Sequence, residues 1–485
     1  MMDMRRGRWL LVLCTVLGAC TAGPDYRKPA LDMPRAWKVE PPWREGRPDD
    51  AADKGPWWQR FNDAQLDALA RQAIAGSPTL ELANARLAQA RAALAATSAG
   101  LMPQIGVSER VARQRISANR PLTNYNAPNF ATVQSDLGLA MSVGYEVDLA
   151  GRVQRSIEGA QAAADQSAAD FENTRLVLTA DLATSYFNLR AIDVELDVLA
   201  RAIGLQRRSL ELVTARRDLG AGTGLDVAQQ QALLDTTLVQ VDLLRRQRSQ
   251  FEHAIATLTG VPAPSFSLAP DVREPVPPAV PLGVPSDVLE RRPDIAAAER
   301  AMAAANAQIG VVSAAYYPSI TLGTSLGLSS RAFGTLLDAP SLLWSLGVSA
   351  AQTLFDGGRI AANIEAARAG HAAATASYRR VVLAAMQEVE DGIIGLSALE
   401  RASAQARTAV AAAQRVLDMA RARYEGGVST YLEVITAQQA LLASERQSAQ
   451  LMGQRMLTSV FLVKALGGDW QRRSGEVPQK SALVR

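Results

Sequence analysis

Apolar positions along this chain change their spacing in the same order twice. From Asp63 to Ala99, Leu66, Leu69, Ile74, Leu80, Leu87 and Leu94 fall at helical intervals, which predicts a helical stretch. The period then shortens to two. Val133, Leu137, Leu139, Met141, Val143, Tyr145 and Val147 alternate with Gln134, Asp136, Gly138, Ala140, Ser142, Gly144 and Glu146, the pattern of a strand with one apolar face. Its partner, Ile105–Ile116, alternates less cleanly and carries Glu109, Arg110, Arg113 and Arg115. The same succession follows later: a helical stretch over Asp287–Ala315, then Ile320, Leu322, Leu326 and Leu328 alternating with small polar residues, then Trp344, Leu346 and Val348 alternating with Ser345, Gly347 and Ser349. Each succession supplies two strands of roughly ten residues, four in all.

Both hairpins end at Gly-Arg (Gly151-Arg152, Gly358-Arg359), preceded by Asp148 or Asp356, each placed near a helix N-cap. No proline occurs from Arg152 to about Leu219, or from Arg359 to about Gly426. Helices of roughly 67 residues, on the order of 100 Å long, are predicted there. Return helices of roughly 35 residues follow over Leu225–Thr259 and Leu432–Leu466, after turns rich in glycine (Gly220, Gly222, Gly224; Gly426, Gly427). Residue matches make the duplication explicit. Ser77-Pro78 aligns with Arg292-Pro293 at an offset of 215, and Gly151-Arg152 with Gly358-Arg359 at 207, an offset that holds to Val227/Val434. Between the copies, Val261–Pro285 holds eight prolines in 25 residues, an extended connector. The organisation predicted is a leader (1–19), an extended segment (20–60), a first copy (61–260, hairpin about 104–149, turn about 220–224), the linker (261–285), a second copy (286–467, hairpin about 319–355, turn about 426–430) and a tail (468–485).

Composition narrows the function. Lys and Arg number 51 against 48 Asp and Glu, a net charge of +3 that suggests no nucleic-acid partner. Two His (His253, His371) and two Cys (Cys14, Cys20) exclude a Cys/His zinc site and a disulfide framework. Gly323-Thr324-Ser325-Leu326-Gly327 fits G-x-S-x-G, but it lies in an alternating strand and lacks the strand-turn-helix context of a nucleophile; no enzyme is expected. Three arginines before the apolar run Trp9–Ala19 mark a secretory leader. Leu17-Gly18-Ala19-Cys20 resembles the bacterial lipobox, which implies cleavage before Cys20, acylation of Cys20 and no other cofactor. Thr21 rather than Asp after the cysteine favours, by the same resemblance, the outer membrane.

Four amphipathic strands cannot stand alone in lipid, because an open sheet leaves two edges of unpaired backbone groups in hydrocarbon. If they span a membrane the chain must oligomerise. Two copies give eight strands, whose interior side chains fill, and three give twelve, with room for a bore. The periodicity also fits a soluble coiled-coil lipoprotein carrying a small sandwich.

Val284-Pro285-Ser286-Asp287-Val288-Leu289-Glu290-Arg291-Arg292-Pro293-Asp294-Ile295 and Tyr317-Pro318-Ser319-Ile320, with Gly23-Pro24-Asp25-Tyr26 and Leu354-Phe355-Asp356-Gly357-Gly358-Arg359, resemble the signature of TolC-like outer-membrane efflux lipoproteins of the NodT/OprM type. The resemblance implies a mainly α chain with a membrane β-barrel. A homotrimer would form a 12-stranded β-barrel and a 12-helix α-barrel. It further implies a periplasmic membrane-fusion adaptor and an inner-membrane pump of the resistance-nodulation-division type as partners. The chain would be a passive exit duct for small molecules. By the same resemblance the periplasmic aperture lies near Arg423, Tyr424, Leu432 and Thr436. Leu432 would be its apolar constriction, and Arg423 and Tyr424 would tie the helix pair shut. Thr436 stands where relatives often carry Asp, and Glu433 is the acidic candidate nearby. Gly220, Ala221, Gly222 and Thr223, with Gly427, Val428, Ser429 and Thr430, resemble the turns that meet the adaptor. The outlet of a type I protein secretion or heavy-metal export system, and a non-channel periplasmic lipoprotein or adaptor, are the alternatives.

Overall fold

The computed structural model describes residues 21–29, 56–119, 132–278 and 291–468. Cys20, the 1–19 leader, most of the 20–60 segment, the turn of the first hairpin, the Val284–Glu290 stretch and the tail beyond 468 lie outside them.

The stretch predicted as one helix from Asp63 to Ala99 is two: α1 (Ala64–Gly76) and α2 (Pro78–Ser98). Pro78 has no N–H and its ring disfavours helical geometry at the preceding residue; Ser77 accordingly sits at φ −74°, ψ 121°. A close approach holds the break in place. Gly260 has φ +74°, and a Cβ there would come within 2.1 Å of the Gly76 carbonyl oxygen. The strands β1 (Gln104–Ile116) and β2 (Thr132–Val147) follow, then α3 (Arg152–Asp218) and α4 (Gly224–Leu258). The second copy runs α5 (Pro293–Ser313), β3 (Ser319–Ser330), β4 (Leu342–Ala351), α6 (Arg359–Glu425) and α7 (Tyr431–Ala465). The helices of the two copies match in length, 67 residues for α3 and α6 and 35 for α4 and α7. Asp148 and Asp356 start the long helices: Gln154 N donates to Asp148 Oδ2 at 2.8 Å and Ile360 N to Asp356 Oδ2 at 2.7 Å.

The chain divides into two compact units. One holds the strands with the neighbouring stretches of helix, 87–167 and 298–378, and residues 21–29. Its four strands form one antiparallel sheet in the order β1-β2-β3-β4. The two hairpins are therefore not separate, since β2 pairs with β3 from Leu137↔Ser330 to Val147↔Ile320, leaving β1 and β4 as edges. Register sorts the side chains. Val107, Met141, Leu326 and Trp344 form one row across the sheet and Ile105, Val143, Thr324 and Leu346 the next, on one apolar face. Gly106, Ser142, Ser325 and Ser345, then Gln104, Gly144, Gly323 and Gly347, form rows on the other. The alternation of β1 stays uneven: Arg110 shares the polar face with Asp136, while Glu109, Arg113 and Arg115 lie on the other side with Ile105, Val107 and Val111.

In the other unit, Trp57, Trp58 and Phe61 pack before α1, and Phe61 meets Phe187 at 4.9 Å between ring centroids. Tyr186 donates to Asp63 Oδ2 at 2.7 Å, while Asp63 Oδ1 caps α1. The connector after α4 makes one short turn, Ala263–Ser265, and is held by a buried charge cluster. Asp193 accepts from Arg190 at 2.7 Å, from Arg248 at 2.6 Å and from the Asp271 amide at 3.1 Å, while Arg248 also reaches the Leu268 carbonyl at 2.7 Å. No helix among the described residues is long and apolar enough to cross a membrane.

Candidate functional site

Gly220–Thr223 and Gly427–Thr430 form the turns between the long and return helices, the aperture candidates lie on the adjoining ends of α6 and α7, and the two copies build these turns differently. After α3, Gly220 at φ +74° lets its amide donate to Arg217 O at 2.9 Å while Ala221 N donates to Arg216 O at 2.8 Å. Thr223 then caps α4 reciprocally: its Oγ1 accepts from Asp226 N at 3.2 Å and its own amide donates to Asp226 Oδ2 at 3.1 Å. After α6, Gly427 at φ +73° makes the equivalent turn, with its amide donating to Tyr424 O at 3.0 Å and Val428 N to Arg423 O at 3.0 Å. Thr430 occupies the N-cap of α7 but its side chain makes no capping bond. Glu433, at the position of Asp226, instead approaches Arg423, with 3.3 Å between Oε2 and Nε.

The predicted aperture residues separate. Arg423 and Glu433 come together as an exposed ion pair bridging α6 and α7, so the carboxylate is already partnered within the chain. Tyr424 is buried, its ring 5.0 Å from that of Tyr431 and covered on another side by the Arg216 guanidinium at 4.6 Å. Leu432 is 56% exposed. Thr436 Oγ1 donates to its own helix at Leu432 O, 2.8 Å away. Around Tyr424 and Tyr431, Val213 of α3, Leu233 of α4, Leu417 and Ala420 of α6 and Val434 and Leu441 of α7 form one apolar cluster.

Sequence reasoning did not single out the groups that join the copies. Tyr431, 2% exposed, donates from its hydroxyl to Gln230 Oε1 at 2.7 Å, and Gln230 Nε2 donates to Gln206 O at 3.1 Å. Gln438 Nε2 reaches Ser209 Oγ at 2.9 Å. Burial pushes the Tyr431 phenol up to about 12. The 207-residue offset pairs Arg216 with Arg423, and that equivalence was the available signal for Arg216.

A second constellation follows the Cys20 position directly. Ala22 N donates to Ala150 O at 2.8 Å, just beyond β2, and Arg155 grips the strap from Ala22 O at 3.2 Å to Asp25 Oδ1 at 2.8 Å. Asn306 donates to Pro24 O at 2.9 Å, and Lys28 pairs with Glu299 at 2.9 Å. Gly23, at φ +89°, lies so near Gly310 that a Cβ would fall 2.5 Å from the Gly310 Cα. Ser325, of the G-x-S-x-G pattern, stands in β3 with its hydroxyl 2.8 Å from that of Ser345.

The profile of the family described as Outer membrane efflux protein matches residues 69–261 and 284–468. The chain belongs to the outer membrane efflux protein family. Its relatives span nearly its whole length. The pyoverdine export outer membrane protein OpmQ of Pseudomonas aeruginosa is 30% identical over 463 residues, covering 95% of this chain and 96% of OpmQ. Outer membrane protein OprJ of the same species is 31% identical over 466 residues, 95% of each chain. The solved outer-membrane channel OprN superposes with a TM-score of 0.84 at 28% identity, covering 93% of this chain and all of OprN (100%). This outer membrane efflux protein is thus mainly helical and has the fold of solved TolC-like outer-membrane channels.

Proposed function

We propose that three copies of this efflux protein join their four-stranded sheets edge to edge into a twelve-stranded barrel. The barrel would act as the outer-membrane exit channel of a tripartite pump, passively releasing small organic solutes. The observation that carries this reading is the sheet itself. Its apolar face bears Trp344, 73% exposed, and Leu346, 77% exposed, and both of its edges are unpaired among the described residues. Such a surface is stable in lipid only when the edges are closed by other copies. Twelve strands leave an aqueous bore where eight do not. The helices supply the periplasmic conduit, and the turns at Gly220–Thr223 and Gly427–Thr430 offer the surface for a membrane-fusion adaptor that links it to an inner-membrane resistance-nodulation-division pump. Acylation of Cys20 anchors the chain. The seating of Thr21 and Ala22 against Gly151 and Ala150 supports this, because it holds the residue after Cys20 beside the end of the sheet.

Native mass spectrometry and planar-bilayer recording of the purified acylated protein test the proposal. A trimer with discrete single-channel conductance is the expected result. A monomer in detergent that yields no conductance would overturn it.

A further inference from the structure

The polar face of the sheet carries its charges in opposed pairs. Among the described residues of the strands and the first residue of α3, that side holds Arg110, Asp136, Glu146 and Arg152. Arg110 Nε lies 3.3 Å from Asp136 Oδ2. Arg152 forks onto Glu146, Nε to Oε1 at 3.0 Å and Nη2 to Oε2 at 2.6 Å. Between the two pairs the rows carry no charge, and apart from Gln104 and Leu343 their residues are small. Gly144, Gly323 and Gly347 stand side by side, and a Cβ on any of them would meet nothing within 4 Å. Glu146 and Arg152 line the same concavity as these glycines, a space of about 830 Å³.

Glu146 and Arg152 keep 31% and 47% of their side chains accessible, so their pairing adds little to stability. Their larger effect is on the field in the adjoining water. A ring of like charge around a water-filled path with low-dielectric walls selects ions by sign, and a ring of closed pairs does not.

We propose that Arg152 and Arg110 are specificity-determining residues of the channel. Each cancels the carboxylate beside it, so that the bore takes solutes of either charge sign and its hydroxyl and glycine rows set only the width and polarity. This rests on the exit-channel reading, in which three sheets close with the polar face inward. Loss of Arg152 alone then exposes three copies of Glu146 as an anionic ring.

The test is the cation-to-anion permeability ratio of the full acylated trimer in planar bilayers under a salt gradient. Arg152→Gln is expected to raise the ratio severalfold, Glu146→Gln to lower it below wild type, and the double variant to restore it. Arg152→Lys, which keeps the charge and loses the fork, is expected to leave it unchanged. Arg110→Gln and Asp136→Asn, in the sheet and away from the helix start, are expected to repeat the opposed shifts independently. Conducting variants of both pairs that keep the wild-type ratio, or single variants that shift it in one direction, overturn the inference and leave the channel reading intact. A wild-type trimer that does not conduct removes both.

Discussion

Tyr431 shows how a single residue ties the two copies together. Its phenol is buried beside Tyr424 and spends its proton on Gln230, so ionisation would place a charge where water is excluded. The folded pKa, about 12, lies above the ordinary value of 10.0. A raised pKa means that the stabilisation is complete below the unfolded value and is lost as the pH climbs through the folded one. The turn region is therefore expected to hold up to about pH 10 and to loosen as the pH approaches about 12. Phenolate absorbance followed alongside limited proteolysis at 219–223 and 426–430 checks this, and Tyr431→Phe should remove the alkaline step. At this scale the sequence was only partly legible. The offset that equates Arg216 with Arg423 also equates Tyr431 with Gly224 and Tyr424 with Arg217, so the aromatic pair belongs to one copy alone. Comparing the copies revealed their shared helices, but a contact built from their differences has no such internal echo.

Between elements, the two turns illustrate how similar residues can serve unlike ends. Thr223 closes a reciprocal cap with Asp226, whereas Thr430 leaves its hydroxyl out of the cap and Glu433 turns to Arg423. Thr223→Ala is expected to cost about 1 kcal/mol of stability, the usual value of a lost N-cap. Thr430→Ala should cost far less, and chemical denaturation of the two variants side by side measures the difference. Helix lengths and strand periods were readable because proline-free runs and alternation are local properties. The break between α1 and α2 was missed although Pro78 stood in plain view. Helical spacing resumes on both sides of it, and only the backbone at Ser77 and the tight contact of Gly260 with Gly76 distinguish two helices from one bent helix. The joining of the hairpins through β2 and β3 is a pairing between distant segments, on which local alternation is silent.

For the molecule as a whole, the exposed side chain of Leu432 is the feature whose meaning depends on assembly. It lies on the first turn of α7 beside the buried Tyr431, outside the apolar cluster that its neighbours Val434 and Ile435 enter. In a closed trimer three such leucines are proposed to meet and occlude the periplasmic aperture. Leu432→Ala is then expected to raise the open probability or conductance in planar bilayers without changing the denaturation midpoint, since little buried surface is lost. Unchanged conductance in stable Leu432→Ala trimers would assign the aperture elsewhere.

The matched lengths of the four main helices, 67 with 67 and 35 with 35, carry a consequence for how such a chain can drift over evolutionary time. Deleting one residue from α6 alone would turn everything beyond it by about 100°, taking Leu417 and Tyr424 away from Val213. Even an in-phase insertion of about seven residues, roughly 10 Å, would slide Tyr431 past Gln230 unless α3 and α4 grew by the same amount. Indels in these helices are therefore tolerated only in concert across both halves of the gene, and a homologue with longer helices should carry the added turns in all four.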